Sequence, residues 1–250
     1  MKIFNETEIK YLAGLLDADG CLSFQFVDGK LYMEMSLAAS ESIDRHGYVD
    51  SLAGRIGSLS VREYEGKGWS PSHQWRLHSR RDLNMMIPRI VKHMVVKGAH
   101  WDRMFKKWIE LRGVSLDESE ILELKSWSED SRKHSGPIKP KNHPTWAWTA
   151  GFLDGDGYYS IRNGVKGPAP YRVGACCHIG DRCGLDLIYK AFGGQLRQEG
   201  DILRWTRALG SQSRSFAQPF LQKIHRHSRL KKWKIEQMLA LHHKPTATTN

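Results

Sequence analysis

No stretch of the 250 residues is apolar for as long as the roughly 20 residues a bilayer core requires, so a membrane span is not expected. The N-terminus, MKIFNETEIKYL, lacks the apolar core of a secretory signal and the Arg/Ser-rich, acid-poor composition of a transit sequence. An intracellular setting is therefore expected, with organelle, bacterial and phage locations all compatible. Cysteine is scarce: Cys21, Cys176, Cys177 and Cys183 do not make a disulfide framework, since two are adjacent and the chain is long enough to fold without staples. They point to a reducing compartment. Cys176-Cys177-His178 with Cys183 lacks the second ligand pair of a zinc site, so buried thiols are expected there instead. Acidic residues are in the minority, 27 against 38 Lys plus Arg, giving a formal charge of +11. That surplus favours a polyanionic partner, nucleic acid before a membrane surface.

What the chain does have is a duplication. YLAGLLDADGCLSF (Tyr11 to Phe24) is echoed by WTAGFLDGDGYYSI (Trp148 to Ile161), so that Asp17 and Asp19 answer to Asp154 and Asp156. Around each copy the periodicity runs the same way. Asn5 to Glu8 form a capping box, predicting a helix from Glu6 to Asp17. Leu22, Phe24 and Phe26 alternate with Ser23 and Gln25, Asp28-Gly29 supplies a tight turn, and Met33, Met35 and Leu37 alternate with Tyr32, Glu34 and Ser36, which predicts a hairpin. A helix over Ser42 to Ile56, strands at Ser58–Tyr64 and Gln74–His78, and helical sequence from Arg81 to Leu111 follow. The second copy predicts a helix ending at Asp154, strands at Tyr158–Arg162 and Tyr171–Cys176, a helix at Leu185–Phe192, strands at Gln195–Glu199 and Leu203–Thr206, and helices from Ser213 to Leu241. The expected class is α+β: two pseudo-symmetric αββαββα repeats, 1–112 and 145–250, each with an antiparallel sheet. Between them, 113–144 reads as a linker with a capping box at Ser115 to Glu118, a short acidic helix and a Pro-containing tether.

Small residues fall four apart in each motif helix, Gly14 and Ala18 in one and Gly151 and Gly155 in the other. Each helix thus carries a flat strip on which another backbone could lie. Packing strip to strip would bring the helix C-termini together, and with them Asp19 and Asp156. Carboxylates crowded at the negative ends of two helix dipoles make sense mainly as a cation site, and oxygen ligands with incomplete coordination select Mg²⁺. A plain C-cap with a left-handed glycine is the alternative, but acids at a helix C-terminus have the wrong sign for it. An EF-hand loop fails because, counting from Asp17, Leu22 occupies the position that requires glycine.

LAGLLDADG (Leu12 to Gly20) and TAGFLDGDG (Thr149 to Gly157) resemble the paired motifs of the LAGLIDADG homing endonucleases in their single-chain, two-repeat form. Thr149 stands where that pattern has leucine. The resemblance implies a monomeric site-specific endodeoxyribonuclease that makes a staggered, Mg²⁺-dependent double-strand cut, with Mn²⁺ as a possible substitute. It implies Asp19 and Asp156 as metal ligands, assisted by the carbonyls of Ala18 and Gly155. It also implies a basic residue near each scissile phosphate, Lys97 and Lys231, with Lys232 the rival of Lys231. Asp17 and Asp154 are expected to serve structure rather than ligation. Some relatives are maturases that bind intron RNA, which is the alternative partner to double-stranded DNA.

The polar strand faces supply candidate base readers: Gln25, Tyr32, Glu34, Arg62, Gln74 and Arg76 with Ser23 in the first copy, and Arg162, Arg172, Gln195, Arg197 and Arg204 in the second. Arg suits guanine and Gln adenine by bidentate geometry. Because the two faces differ residue by residue, the target should be long and asymmetric. The tail RLKKWKIEQMLALHHK is expected to be an amphipathic helix with its cations on phosphates, a surface helix without contacts being the alternative.

Overall fold

A computed structural model describes residues 4–64, 70–133, 144–161, 171–209 and 214–242. The first half runs α1 (Glu6–Asp19), β1 (Cys21–Val27), β2 (Lys30–Ser40), α2 (Tyr48–Ala53), β3 (Ser58–Arg62), β4 (Ser72–Leu77), α3 (Arg80–Val91) and α4 (Gly98–Leu111). After α5 (Glu118–Lys133) the second half repeats the order: α6 (Trp146–Gly155), β5 (Gly157–Ile161), β6 (Tyr171–His178), α7 (Cys183–Phe192), β7 (Gln195–Glu199), β8 (Ile202–Ala208), α8 (Arg214–His227) and α9 (Lys232–His242). Each half holds a four-stranded antiparallel sheet, ordered β1-β2-β4-β3 and β5-β6-β8-β7. Among the described residues no helix is long and apolar enough to cross a membrane.

Local chemistry accounts for most element ends. Asn5 accepts from the Glu8 amide at 2.9 Å while Glu8 accepts from the Asn5 amide at 2.8 Å, closing the expected box at the start of α1. Asp28 and Gly29 both have positive φ, 50° and 67°, the two-residue hairpin geometry whose twist matches the strands it joins. Register then fixes the faces. Trp75 pairs with Leu37 and Leu59, and Trp205 with Ala175 and Leu196. Both tryptophans are fully buried, and each indole N–H donates to a backbone carbonyl at 2.7 Å, Ile56 for Trp75 and Gly193 for Trp205. Burying an indole of that size without a partner for its N–H would be costly, so this pairing anchors each sheet to its core.

Several expectations need correction. The helix predicted over Ser42 to Ile56 is confined to α2, because Gly47 adopts φ 64° and the preceding residues form turns instead. There Asp44 accepts from the amides of Tyr48 and Val49, both at 2.7 Å. Helical sequence from Arg81 to Leu111 is broken between α3 and α4. The cap of α5 lies two residues later than read, at Asp117, which exchanges bonds of 2.9 Å with Glu120. That helix also packs on the first half: Trp127 stacks on Phe24 with ring centroids 6.3 Å apart, and Leu116 and Leu124 are buried. The tail forms α9, which buries Ile235 and Met238 as the apolar side of the expected amphipathic helix. Of the thiols expected to be buried, only Cys183 is; Cys176 points to the polar face opposite Arg204 and is exposed.

Candidate active site

The strip-to-strip packing of α1 on α6 is so close that side chains are excluded. A Cβ on Gly14 would collide with the Trp148 carbonyl, and one on Gly151 with the Tyr11 carbonyl, so each glycine receives the other helix's backbone. Gly155 lies under Ala18 and Asp19, where an added Cβ would stand 3.0 Å from Asp19 Oδ2. The two helix ends and their last acids are thereby brought side by side. Gly20 leaves α1 in extended conformation (φ −73°, ψ 148°), not left-handed, which disposes of the plain C-cap. Glycine is needed there because a Cβ would collide with Leu16, as one on Gly157 would with Leu153.

Asp17 and Asp154 turn inward. Asp17 accepts from the amides of Val95, Val96 and Lys97 (2.6–3.1 Å) and from the Trp148 indole at 2.9 Å. Asp154 accepts from the amides of Arg229, Leu230 and Lys231 (2.7–3.3 Å), from the Ser228 hydroxyl and from the Tyr11 hydroxyl at 2.7 Å. Tyr11 and Trp148 stand at the same place in the two motifs, each crossing to the other repeat's buried aspartate. These bonds break the two long helical stretches, because amides claimed by a carboxylate cannot continue a helix. They also hold the backbones of Lys97 and Lys231. Burial pushes the Asp17 carboxyl up to about 6, against the pull of its amide donors, and raises Asp154 too.

Each lysine then reaches back over a helix end. Lys97 Nζ donates to the carbonyls of Leu16 (3.3 Å), Ala18 (2.8 Å) and Gly20 (2.9 Å), and Lys231 Nζ to those of Leu153 (3.4 Å), Gly155 (2.6 Å) and Gly157 (2.6 Å). A cation on terminal carbonyls complements the helix dipole. Lys231, buried at 6 % exposure, holds this position; Lys232 opens α9 instead. Burial lowers both ammonium groups, and the surrounding acids oppose it. Although Asp19 as a residue is exposed, its carboxyl is raised by the loss of solvent around it, with Lys231 and Lys97 opposing. Asp156 is pushed up to about 7, first by burial and then by repulsion from Asp19, so the two charges are close enough to compete.

Two hard oxygen donors that repel one another suit a divalent cation. Among the described residues no group of three or more His, Cys, Asp and Glu is placed to hold a metal ion. Two carboxylates are hard oxygen donors of the kind a hydrated divalent cation such as Mg²⁺ accepts while retaining waters. The carbonyls of Ala18 and Gly155 are engaged by the lysines, but a carbonyl has a second lone pair.

Register places the candidate base readers together. Ser23 pairs with Glu34, Gln25 with Tyr32, and Arg76 and Gln74 lie between β2 and β3 in line with Arg62, so all share the face opposite the core. Arg172, Arg204, Gln195 and Arg197 likewise share one face of the second sheet. Arg162 lies outside the described residues. Some readers are already paired: Arg76 donates to Gln74 at 2.7 Å, and Arg204 lies 3.3 Å from Glu199. Residues on these faces that were not named as candidate readers include Ser58, Ser60 and Thr206. Tyr11, Trp148 and Ser228 were also missed as partners of the buried acids, though the matched aromatic before each motif was visible in the duplication.

No protein-family model and no curated protein matches the chain. Solved structures do. Meganuclease I-SmaMI bound to uncleaveable DNA is 18 % identical, with a TM-score of 0.62 over 88 % of this chain and 85 % of that one. The LAGLIDADG meganuclease I-CpaMI bound to uncleaved DNA is 15 % identical, with a TM-score of 0.67 over 95 % and 92 %. The I-SmaMI LAGLIDADG homing endonuclease bound to cleaved DNA is 19 % identical, with a TM-score of 0.65 over 94 % and 87 %. Nearly the whole of this chain, with both sheets and the paired motif helices between its halves, thus has the fold of the single-chain LAGLIDADG meganucleases.

Proposed function

We propose that this protein is a sequence-specific DNA endonuclease that hydrolyses both strands of a long, asymmetric duplex site. The observation that carries the reading is the paired centre itself. Asp19 and Asp156 are forced together by two glycine-lined helices, each with a lysine held at the helix end, and polar, Arg-bearing sheet faces occur in both halves. The meganucleases of like fold that are bound to DNA support the substrate class.

Asp19 and Asp156 would hold Mg²⁺, or Mn²⁺ in its place. Such a cation supplies charge neutralisation at a phosphodiester and a more acidic water. The chain's own residues do the rest. Lys97 and Lys231 present positive charge beside the two acids, where a scissile phosphate on either strand would meet it. Asp17 and Asp154 fix those lysines by their amides. The sheet faces set register by contacts to base edges, Arg to guanine and Gln to adenine. Because one chain supplies both halves, a monomer suffices, and unlike faces select an asymmetric target. The cut would be staggered, with short 3′ overhangs.

A cleavage selection on a randomised duplex library with Mg²⁺ tests this, comparing the wild type with Asp19→Asn and Asp156→Asn. Double-strand cuts at one long asymmetric site, lost in either variant, are expected. Tight binding of duplex or intron RNA without cutting by any version would assign the chain to RNA or DNA binding without catalysis, as in a splicing-assisting maturase.

A further inference from the structure

The two halves of the centre are furnished differently. After β6, the 3-10 turn Ile179–Asp181 places Asp181 in a cleft of about 140 Å³ that it shares with Ala18, Lys97, Asp156, Cys177 and His178. The turn is held firmly: the Ile179 amide donates to the Asp201 carbonyl at 2.7 Å, and the neighbouring Arg182 is spent on Asp186 at 2.8 Å. Within the cleft, Lys97 gives its three N–H groups to helix carbonyls. Asp17 is fully bonded by amides and an indole. His178 Nδ1 accepts from the Gly180 amide at 3.2 Å, which assigns the ring proton to Nε2 and makes the neutral ring a donor. The Cys177 thiol, pushed up to about 12 by burial, stays protonated. With Asp156 committed to the cation, Asp181 is the acceptor that remains. Its carboxylate takes no hydrogen bond or ion pair from a described residue, while its charge acts on both Lys97 and Asp156.

In the corresponding loop after β2 the two carboxylates, Glu41 and Asp44, already have partners. Asp44 is bonded to the amides of Tyr48 and Val49, Glu41 and Asp50 both bind His73, and the Arg45 guanidinium lies 3.7 Å over the Trp233 ring.

We infer that Asp181 is the acceptor that orients and deprotonates the attacking water in the Asp156 half of the centre, so that the two strands are hydrolysed at unequal rates. The inference rests on the nuclease reading above. The water oxygen bonds to phosphorus as the ester P–O bond breaks. One water proton passes to Asp181 and on to solvent, and the departing alkoxide takes up a proton from solvent.

The test uses the selected duplex with each strand end-labelled in turn. General-base assistance is worth about 10²–10⁴-fold in rate, so even partial loss is readable. In the wild type one strand is cut first and a nicked intermediate accumulates. Asp181→Asn slows that strand by about tenfold or more, leaves the other within about twofold, and leaves duplex binding without divalent cation unchanged; Asp181→Glu recovers part of the loss. Equal slowing of both strands, or no effect on either, overturns the assignment while leaving the nuclease standing. Failure of the wild type to cut at all overturns the nuclease reading and this inference with it.

Discussion

Substituting Gly151 by alanine adds one methyl group at the point where two helix backbones touch. That methyl would fall inside the Tyr11 carbonyl and close to the Leu15 amide, both backbone groups that no rotamer change can move. To restore ordinary contact, α1 and α6 would have to part by about 1 Å or more. Overpacking of this kind costs about 1–3 kcal/mol, and a backbone obstacle places it near the upper figure. Alanine's better helix propensity returns about 1 kcal/mol, leaving a net loss of about 2 kcal/mol. For a chain of this size the melting temperature should fall by about 4–8 °C. Gly54→Ala is the control: a Cβ there meets nothing nearer than 3.7 Å at φ −67°, so a gain of about 0.4–1 kcal/mol is expected. Thermal and urea unfolding of both variants read these signs. Cleavage by Gly151→Ala should fall more than its stability alone explains, because the same movement spreads Asp19 from Asp156. Wild-type stability in Gly151→Ala would refute the close-packing argument.

Lys97→Met and Lys231→Met each strip an ammonium from three carbonyls at a helix end; both should abolish cutting and cost about 1–3 kcal/mol in urea unfolding. His73 is raised above its usual range chiefly by its bond to Asp50. A raised histidine stabilises the fold fully below the ordinary value near 6.5 and loses that contribution as pH rises through the folded value. Urea midpoints should therefore drop from pH 6 to pH 8.5, by less in His73→Gln. Arg197→Ala should relax base preference at one target position at about 1–3 kcal/mol, read by selection on a duplex library; a uniform loss at all positions would mark a phosphate contact instead.

Local pattern carried much of this molecule. The duplicated motif, the small residues four apart, the Asp28-Gly29 turn and the alternation of strand faces are all set by neighbours within a few residues, and the structure places them as read. Periodicity distinguishes the faces of an element, so the convergence of the motif helices was legible before any contact was known.

What tertiary structure alone decided lies where distant groups compete for the backbone. Residues 92–97 are as helix-compatible as their surroundings, yet Asp17, some eighty positions earlier, takes three of their amides; Asp154 does the same at 229–231. Gly20 serves not by a left-handed turn, the alternative set aside from the sequence, but by letting the chain leave beside Leu16. Lys97 and Lys231 acquire their place from those long-range carboxylates, and Asp181 its freedom from the pairing of Arg182 with Asp186. A sequence specifies which side chains are available as donors and acceptors, but which ones remain unspent depends on every bond the fold makes.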